Sequence, residues 1–179
     1  PRVTWFPEDD GASGGIIRLA IVAAIGGALA GLLGGLFRWF LQQVYELRID
    51  LLAWADENPA ARWIIPVAIA AIAVAAARLI VRFVPEASGS GVQHVEANMR
   101  GDDEVSPLRI IPAKFFGGLL AIGSGLALGR EGPTVQIGAT IGNQAARLAG
   151  LSQHDRRTLT ASLAGAGLGV AFSAPLGGA

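Results

Sequence analysis

The sequence has 179 residues, of which 52% are hydrophobic and 16% are charged, against the ~25% charged residues of an ordinary soluble domain. Fourteen acidic side chains balance fourteen basic ones, so the basic excess that nucleic-acid binding requires is absent. The lack of cysteine excludes disulfides, thiolate metal sites and cysteine nucleophiles. The composition therefore favours a bilayer as solvent, and we expect no nucleic-acid partner, no metal and no cofactor.

The two ends of the chain differ from its middle. Residues 1–15 are polar and acidic and lack the basic region of a signal peptide. We expect residues 16–179 to form one transmembrane helical region. The sequence begins with Pro1, and it reaches Ala179 directly after an apolar run, so we expect the natural protein to continue beyond it.

The first apolar stretch, residues 19–37, is free of charge and close to the ~20 residues that cross a bilayer. Gly27, Gly31 and Gly35 recur at every fourth position, which predicts close packing of this helical face against a neighbour. The helix is expected to continue to Ala55.

The later apolar stretches are shorter and are broken by glycine and proline. Such short segments are typical of discontinuous membrane helices that line a binding site. The sequence thus predicts an all-α, polytopic membrane protein with short, tilted and discontinuous helices. These later helices are predicted over residues 62–85, 92–100, 110–128, 134–148 and 158–179.

The segment Gly129-Arg130-Glu131-Gly132-Pro133 places two opposite charges between apolar stretches. Pro133 suits the first turn of a helix, so the residues before it should form a helix N-terminus, whose positive partial charge and unpaired N–H groups bind anions. The two glycines are expected to let the backbone turn sharply toward a ligand. Because an ionisable residue within membrane segments indicates function, we predict that Glu131 occupies the anion site when ionised and vacates it when protonated. The alternative is a surface ion pair between Arg130 and Glu131.

The segment Gly89-Ser90-Gly91 also precedes a short helix, and it offers a hydroxyl donor beside backbone N–H groups. It could therefore bind a dehydrated halide. The alternative is that Ser90 only caps the helix, since serine is a common N-cap residue.

Glu96 and Lys114 are the remaining charges in apolar surroundings. Leaving either one alone in a low dielectric would be costly, so we predict that they form a structural ion pair. The sequence lacks a phosphate-binding loop and a G-x-S-x-G elbow, and it shows no nucleophile paired with a base, so an enzyme is not expected.

Four segments resemble, in order and spacing, the first half of chloride channels and chloride/proton antiporters of the ClC family, prokaryotic type. They are GSGVQHVEA (89–97), PAKFFGG (112–118), GREGPTVQIG (129–138) and AFSAPLGG (171–178). The resemblance implies a homodimer in the inner cell membrane with a pore in each subunit. Each pore is built from two inverted halves, of which this chain supplies the first, truncated at its C-terminal end.

The resemblance also implies roles for individual residues. Ser90 would coordinate chloride, the substrate, through its hydroxyl, and Glu131 would be the gate that also carries the proton. Glu96 and Lys114 match a buried pair near the pathway. The family usually has proline at the position of Gln93, which leaves the ion affinity of the site open. The residues that the resemblance assigns to anion binding are Gly89, Ser90, Gly91, Arg130, Glu131 and Gly132.

The mode of transport stays open at this point. Chloride/proton exchange gated by Glu131 is the first hypothesis, and a passive chloride channel is the second. A third possibility is that residues 1–179 alone form a half-subunit that does not transport, because the ligands from the second half would lie beyond Ala179.

Overall fold

The computed structural model describes residues 12–58, 61–100 and 106–174. Within these ranges the chain is all-α, as predicted, and contains no strand. Residues 1–11 of the predicted polar segment and residues 175–179 of the last predicted helix lie outside the described residues. The described helices are α1 (Ala12–Asp56), α2 (Ala61–Phe83), α3 (Val92–Arg100), α4 (Pro107–Gly123), α5 (Glu131–Leu148) and α6 (Gln153–Phe172).

Of the helices after α1, only α4, α5 and α6 begin or end three or more residues from their predicted bounds. α4 ends at Gly123, five residues early, because Gly125 adopts a left-handed φ of 101° and turns the chain. α5 begins at Glu131, three residues early. α6 begins at Gln153 because the Ser152 hydroxyl accepts a hydrogen bond from the N–H of Asp155 at 3.1 Å, which caps a polar first turn.

Two helices, α1 and α2, are long and apolar enough to cross a membrane. α2 has 23 residues, and none of them is buried, unlike the core helix of a soluble protein. α4 has only 17 residues, or ~26 Å, which is less than the ~30 Å hydrocarbon core. The chain therefore combines spanning helices with shorter ones, as the sequence predicts.

The centre of the fold is the crossing of α5 and α6, which pack through backbone atoms. A Cβ atom on Gly142 would lie 2.6 Å from the Leu159 carbonyl oxygen, and Gly138 and Gly167 make equally close backbone contacts. Ile137, in the middle of α5, is only 1% exposed. α5 is thus held rigidly at the core, and this fixes the position of its first turn.

The predicted glycine face of α1, at Gly27, Gly31 and Gly35, is not the face that packs most closely against the described helices. A Cβ atom on Gly31 or Gly35 would meet nothing within 4 Å among the described residues. The helix instead packs on α6 one position earlier, where Gly34 contacts Val170 and Ala30 is 2% exposed. A spacing of four residues identifies a helical face that allows close packing. Both the predicted face and the observed one have this spacing, so the partner helix decides which face of α1 is packed.

Candidate functional site

The Ser90 loop links α2 to α3 and depends on glycine. Gly89 and Gly91 have φ values of 60° and 82°, in the left-handed region that other residues rarely adopt. Between them, the Ser90 hydroxyl accepts a hydrogen bond from the N–H of Val92 at 3.4 Å. Ser90 is therefore a weak cap of α3, but its O–H remains available to donate to an anion, so the two alternatives are compatible.

The first turn of α5 presents backbone donors that no side chain caps. Arg130 is the N-cap residue and makes no capping hydrogen bond, and Glu131 and Gly132 follow as the first helical residues. Pro133 lies in the first turn, as predicted. Arg130 and Glu131 do not form an ion pair. The alternative of a surface ion pair is therefore wrong for this structure, and the uncapped helix N-terminus remains a place for negative charge.

The Ser90 loop and the first turn of α5 touch each other. A Cβ atom on Gly132 would lie 2.7 Å from the Ser90 carbonyl oxygen and 3.1 Å from its Cα. Neither Gly129 nor Gly132 has a positive φ, so the expectation that they allow a sharp turn is wrong. Gly132 instead makes room for Ser90, and Gly129 makes room for the carboxylate of Glu131, which lies against it.

Both segments line one cavity of about 760 Å³. Two of the predicted anion-binding residues do not contribute to it: Gly91 is buried against Gln136, and Arg130 faces a neighbouring cavity. The predicted residues that do line this cavity are Gly89, Ser90, Glu131, Gly132 and Lys114.

Lys114 does not pair with Glu96, which corrects the prediction of an ion pair. The Lys114 Nζ atom donates hydrogen bonds to the carbonyl oxygens of Ala87, at 3.0 Å, and Gly89, at 2.7 Å. Glu96 is exposed on α3. Backbone carbonyls can satisfy a buried ammonium as well as a carboxylate can. These two lie at and after the end of the short 3-10 helix Pro85–Ala87, where carbonyl oxygens lack intrahelical donors. Lys114 thus holds the Ser90 loop and brings a positive charge to the cavity.

Gln136 is a site residue that the sequence reasoning missed. Its side chain is fully buried in α5, and Nε2 donates to the Glu86 carbonyl oxygen at 2.8 Å. Its Oε1 atom lies against Gly91 and has no hydrogen-bond partner. The amide therefore ties the Ser90 loop to the helix that begins with Glu131. A polar residue in an otherwise apolar helical stretch was the signal available in the sequence.

A second cavity, of about 370 Å³, lies on the other side of Glu131. Gly129 and Glu131 line both cavities, together with Ile122 and Leu128. Glu131 is the only carboxylate that lines either one in the described part of the chain. Glu131 therefore lies at the boundary between the two cavities.

These features define a class of protein: a polytopic helical membrane protein in which an uncapped helix N-terminus and a glycine-rich loop line one cavity. A family model described as "Voltage gated chloride channel" matches residues 72–179, which is more than half of the chain. The chain belongs to this family, as its resemblance to ClC proteins indicates.

The similar proteins are transporters, and the chain spans about a third of the length of the curated relatives it matches. The H(+)/Cl(-) exchange transporter ClcA of Vibrio vulnificus is 42% identical over 164 residues, which is 90% of this chain and 35% of that protein. The ClcA of Salmonella arizonae is 37% identical over the same shares. The crystal structure of a slow cyanobacterial Cl-/H+ antiporter matches with a TM-score of 0.84 and 34% identity, covering 90% of this chain and 38% of that one. The predicted fold, the first part of a ClC protein, is confirmed.

Proposed function

We propose that this protein exchanges chloride for protons across the membrane, with Glu131 as the gate and proton carrier. The relatives named above are chloride/proton exchangers, which supports exchange over a passive channel. We further propose that it acts as a homodimer in the inner cell membrane with several spans per subunit, as the family resemblance implies.

The observation that carries this proposal is the position of the Glu131 carboxylate. It stands between two cavities that cations line, and it begins a helix whose first N–H groups lack a side-chain cap. An ionised carboxylate there competes with chloride for the same donors. A protonated carboxyl group is neutral and leaves the donors to chloride. One side chain thus links proton binding to anion movement.

Chloride bound in the larger cavity would replace its hydration shell with protein donors. The Ser90 hydroxyl, the backbone N–H groups at the start of α5 and the Lys114 ammonium are the candidates. Lys114 is 4% exposed, and two of its three N–H groups donate hydrogen bonds to carbonyl oxygens. It therefore acts mainly as a fixed positive charge near the anion and as the anchor of the Ser90 loop.

The substitution Glu131→Gln tests the proposal in the protein at its full natural length, in proteoliposomes with chloride and pH electrodes. Glutamine keeps the size of the side chain, but its amide neither ionises nor takes up a proton. Chloride flux should persist, and proton movement driven by a chloride gradient should disappear. Glu57→Gln, at an exposed turn after α1, is the matched control and should leave coupling intact.

Two results would contradict the proposal. If Glu131→Gln still drives protons at the unsubstituted rate, Glu131 is not the proton carrier. If the unsubstituted protein moves chloride without any proton movement, the protein is a channel and the exchange reaction is wrong.

A further inference from the structure

The buried amide of Gln136 makes only part of the hydrogen bonding of which it is capable. The side chain lies in the second turn of α5 and is 0% exposed. Its Nε2 atom donates to the Glu86 carbonyl oxygen at 2.8 Å, but its Oε1 atom has no partner among the described residues. A buried acceptor without a donor destabilises a fold, so stability alone does not explain an amide at this position.

Gln136 and Gly132 lie about one helical turn apart on α5, and they contact successive residues of the Ser90 loop. A Cβ atom on Gly132 would lie 2.7 Å from the Ser90 carbonyl oxygen, and a Cβ atom on Gly91 would lie 2.7 Å from Gln136 Cδ. The loop therefore follows the face of α5 that begins next to Glu131.

Lys114 holds the same loop, but from a different helix. Its Nζ atom, on α4, donates to the carbonyl oxygens of Ala87 and Gly89. Among the described residues, Gln136 is the only one whose side chain hydrogen-bonds this loop to α5, the helix that carries Glu131. The distance between the loop and the gate therefore depends on Gln136.

We propose that Gln136 is a positioning residue that sets the chloride affinity of the larger cavity by fixing the Ser90 loop relative to Glu131. Gln136 lines neither cavity, so it acts through the loop and not on the anion itself. A loop that is not held in place must be ordered when chloride binds, and the entropy lost in this step weakens binding. The proposal rests on the proposed function, because it concerns the anion site that Glu131 gates.

The first experiment measures chloride binding to the protein at its full natural length by isothermal titration. Gln136→Met keeps the approximate size of the side chain but removes the donor to the Glu86 carbonyl oxygen. The chloride affinity should fall about tenfold, because binding must then order the loop. Equal affinity in Gln136→Met and in the unsubstituted protein would overturn the proposal.

Thr140→Val is the matched control, because Thr140 lies about one turn further along the same face of α5. The Thr140 hydroxyl is also buried, and it donates to the Gln136 carbonyl oxygen at 2.7 Å within the helix. This variant loses a buried hydrogen bond that does not involve the loop, so its chloride affinity should stay within about twofold. A loss of affinity equal to that of Gln136→Met would overturn the specific role of Gln136.

The second experiment replaces the amide donor with a different one. Gln136→Glu, in a Glu131→Gln background, introduces a carboxyl group of nearly the same size, and the background removes the titration of the gate. The protonated carboxyl group can donate its O–H to the Glu86 carbonyl oxygen, whereas a carboxylate has no donor. The chloride affinity at acid pH should therefore match that of Glu131→Gln alone, and it should fall about tenfold where the new group ionises.

The comparison with Glu131→Gln alone isolates the effect of the new carboxyl group. Every other titratable residue occurs in both proteins, so its titration affects both equally; those on the neighbouring elements include Glu86, His94, Glu96 and Lys114. If Gln136 only filled space, Gln136→Met and Gln136→Glu in this background would bind chloride equally at acid pH. That result would overturn the proposal.

Binding and transport measurements together separate the two proposals. A loss of chloride affinity in Gln136→Met, in a protein that moves chloride without protons, would support the positioning role and contradict chloride/proton exchange. Coupled exchange by the unsubstituted protein, with unchanged chloride affinity in Gln136→Met, would support the proposed function and overturn the positioning role.

Discussion

Adding one methyl group at Gly132 tests whether the contact between the two loops creates the anion site. The new Cβ atom would lie 2.7 Å from the Ser90 carbonyl oxygen, about 0.7 Å short of ordinary van der Waals contact. Both partners are backbone, so no side chain can rotate away. Gly132 has a helical φ, so alanine is not strained for any other reason. Gly132→Ala must therefore push the Ser90 loop away from the first turn of α5.

The size of the effect follows from the cost of overpacking, which is about 1–3 kcal/mol. If closing the displaced loop around chloride costs the same free energy, the chloride affinity falls about 5- to 150-fold. Isothermal titration of the purified protein with chloride measures the affinity directly. Gly15→Ala is the control, because its added Cβ atom, also in an α-helix, would have no neighbouring atom within 4 Å. This variant should bind chloride normally.

A thermal unfolding scan distinguishes a local effect from a global one. Gly132→Ala should lose chloride affinity with little change in the unfolding temperature of the chloride-free protein, because the α5–α6 core lies further along the helix. Chloride affinity in Gly132→Ala equal to that of the unsubstituted protein would refute the reasoning that this contact builds the site.

Three further substitutions test other parts of the site. Gly129→Ala should displace the flexible Glu131 carboxylate instead of the backbone, so coupled proton flux should change while chloride affinity measured by titration stays within about twofold. Lys114→Met should remove two hydrogen bonds to the Ser90 loop and one positive charge, and chloride affinity should fall about tenfold, with unchanged affinity contradicting the assigned charge. Ser90→Pro should shift the flux ratio from chloride toward nitrate, and an unchanged ratio would count against coordination by the hydroxyl.

The helix bounds were predicted best where particular residues mark the end of a helix. The short helix after Ser88-Gly89-Ser90-Gly91 has the predicted bounds, because glycines and a capping serine mark its beginning. The start of α5 was placed within three residues by Pro133. The contact between these two segments follows from no local pattern, and the family resemblance implied only that both bind the anion.

The failures share a cause, which is that burial partners are decided by the tertiary fold. A charge in an apolar stretch predicts that Lys114 must be satisfied, but its partners, the carbonyl oxygens of Ala87 and Gly89, belong to a loop whose course the sequence did not reveal. The glycine face of α1 likewise allowed two registers. No sequence pattern connects Arg38 and Arg48 with Glu131, because only the fold places all three on one cavity.

The balance of charge around Glu131 is consistent with its proposed role as the gate. Arg78 and Lys114 line the larger cavity, and Arg38, Arg48 and Arg130 line the smaller one. Among the described residues, Glu131 is the only carboxylate that lines either cavity. Under the proposed function, a chloride ion that enters as the carboxylate is protonated replaces one negative charge with another. The cations are then still balanced by one negative charge. The desolvation cost of an unpaired ion in the membrane therefore does not arise at this step. Protonation of Glu131 without chloride would leave the cations of both cavities uncompensated, so protonation of Glu131 favours the entry of chloride at this site.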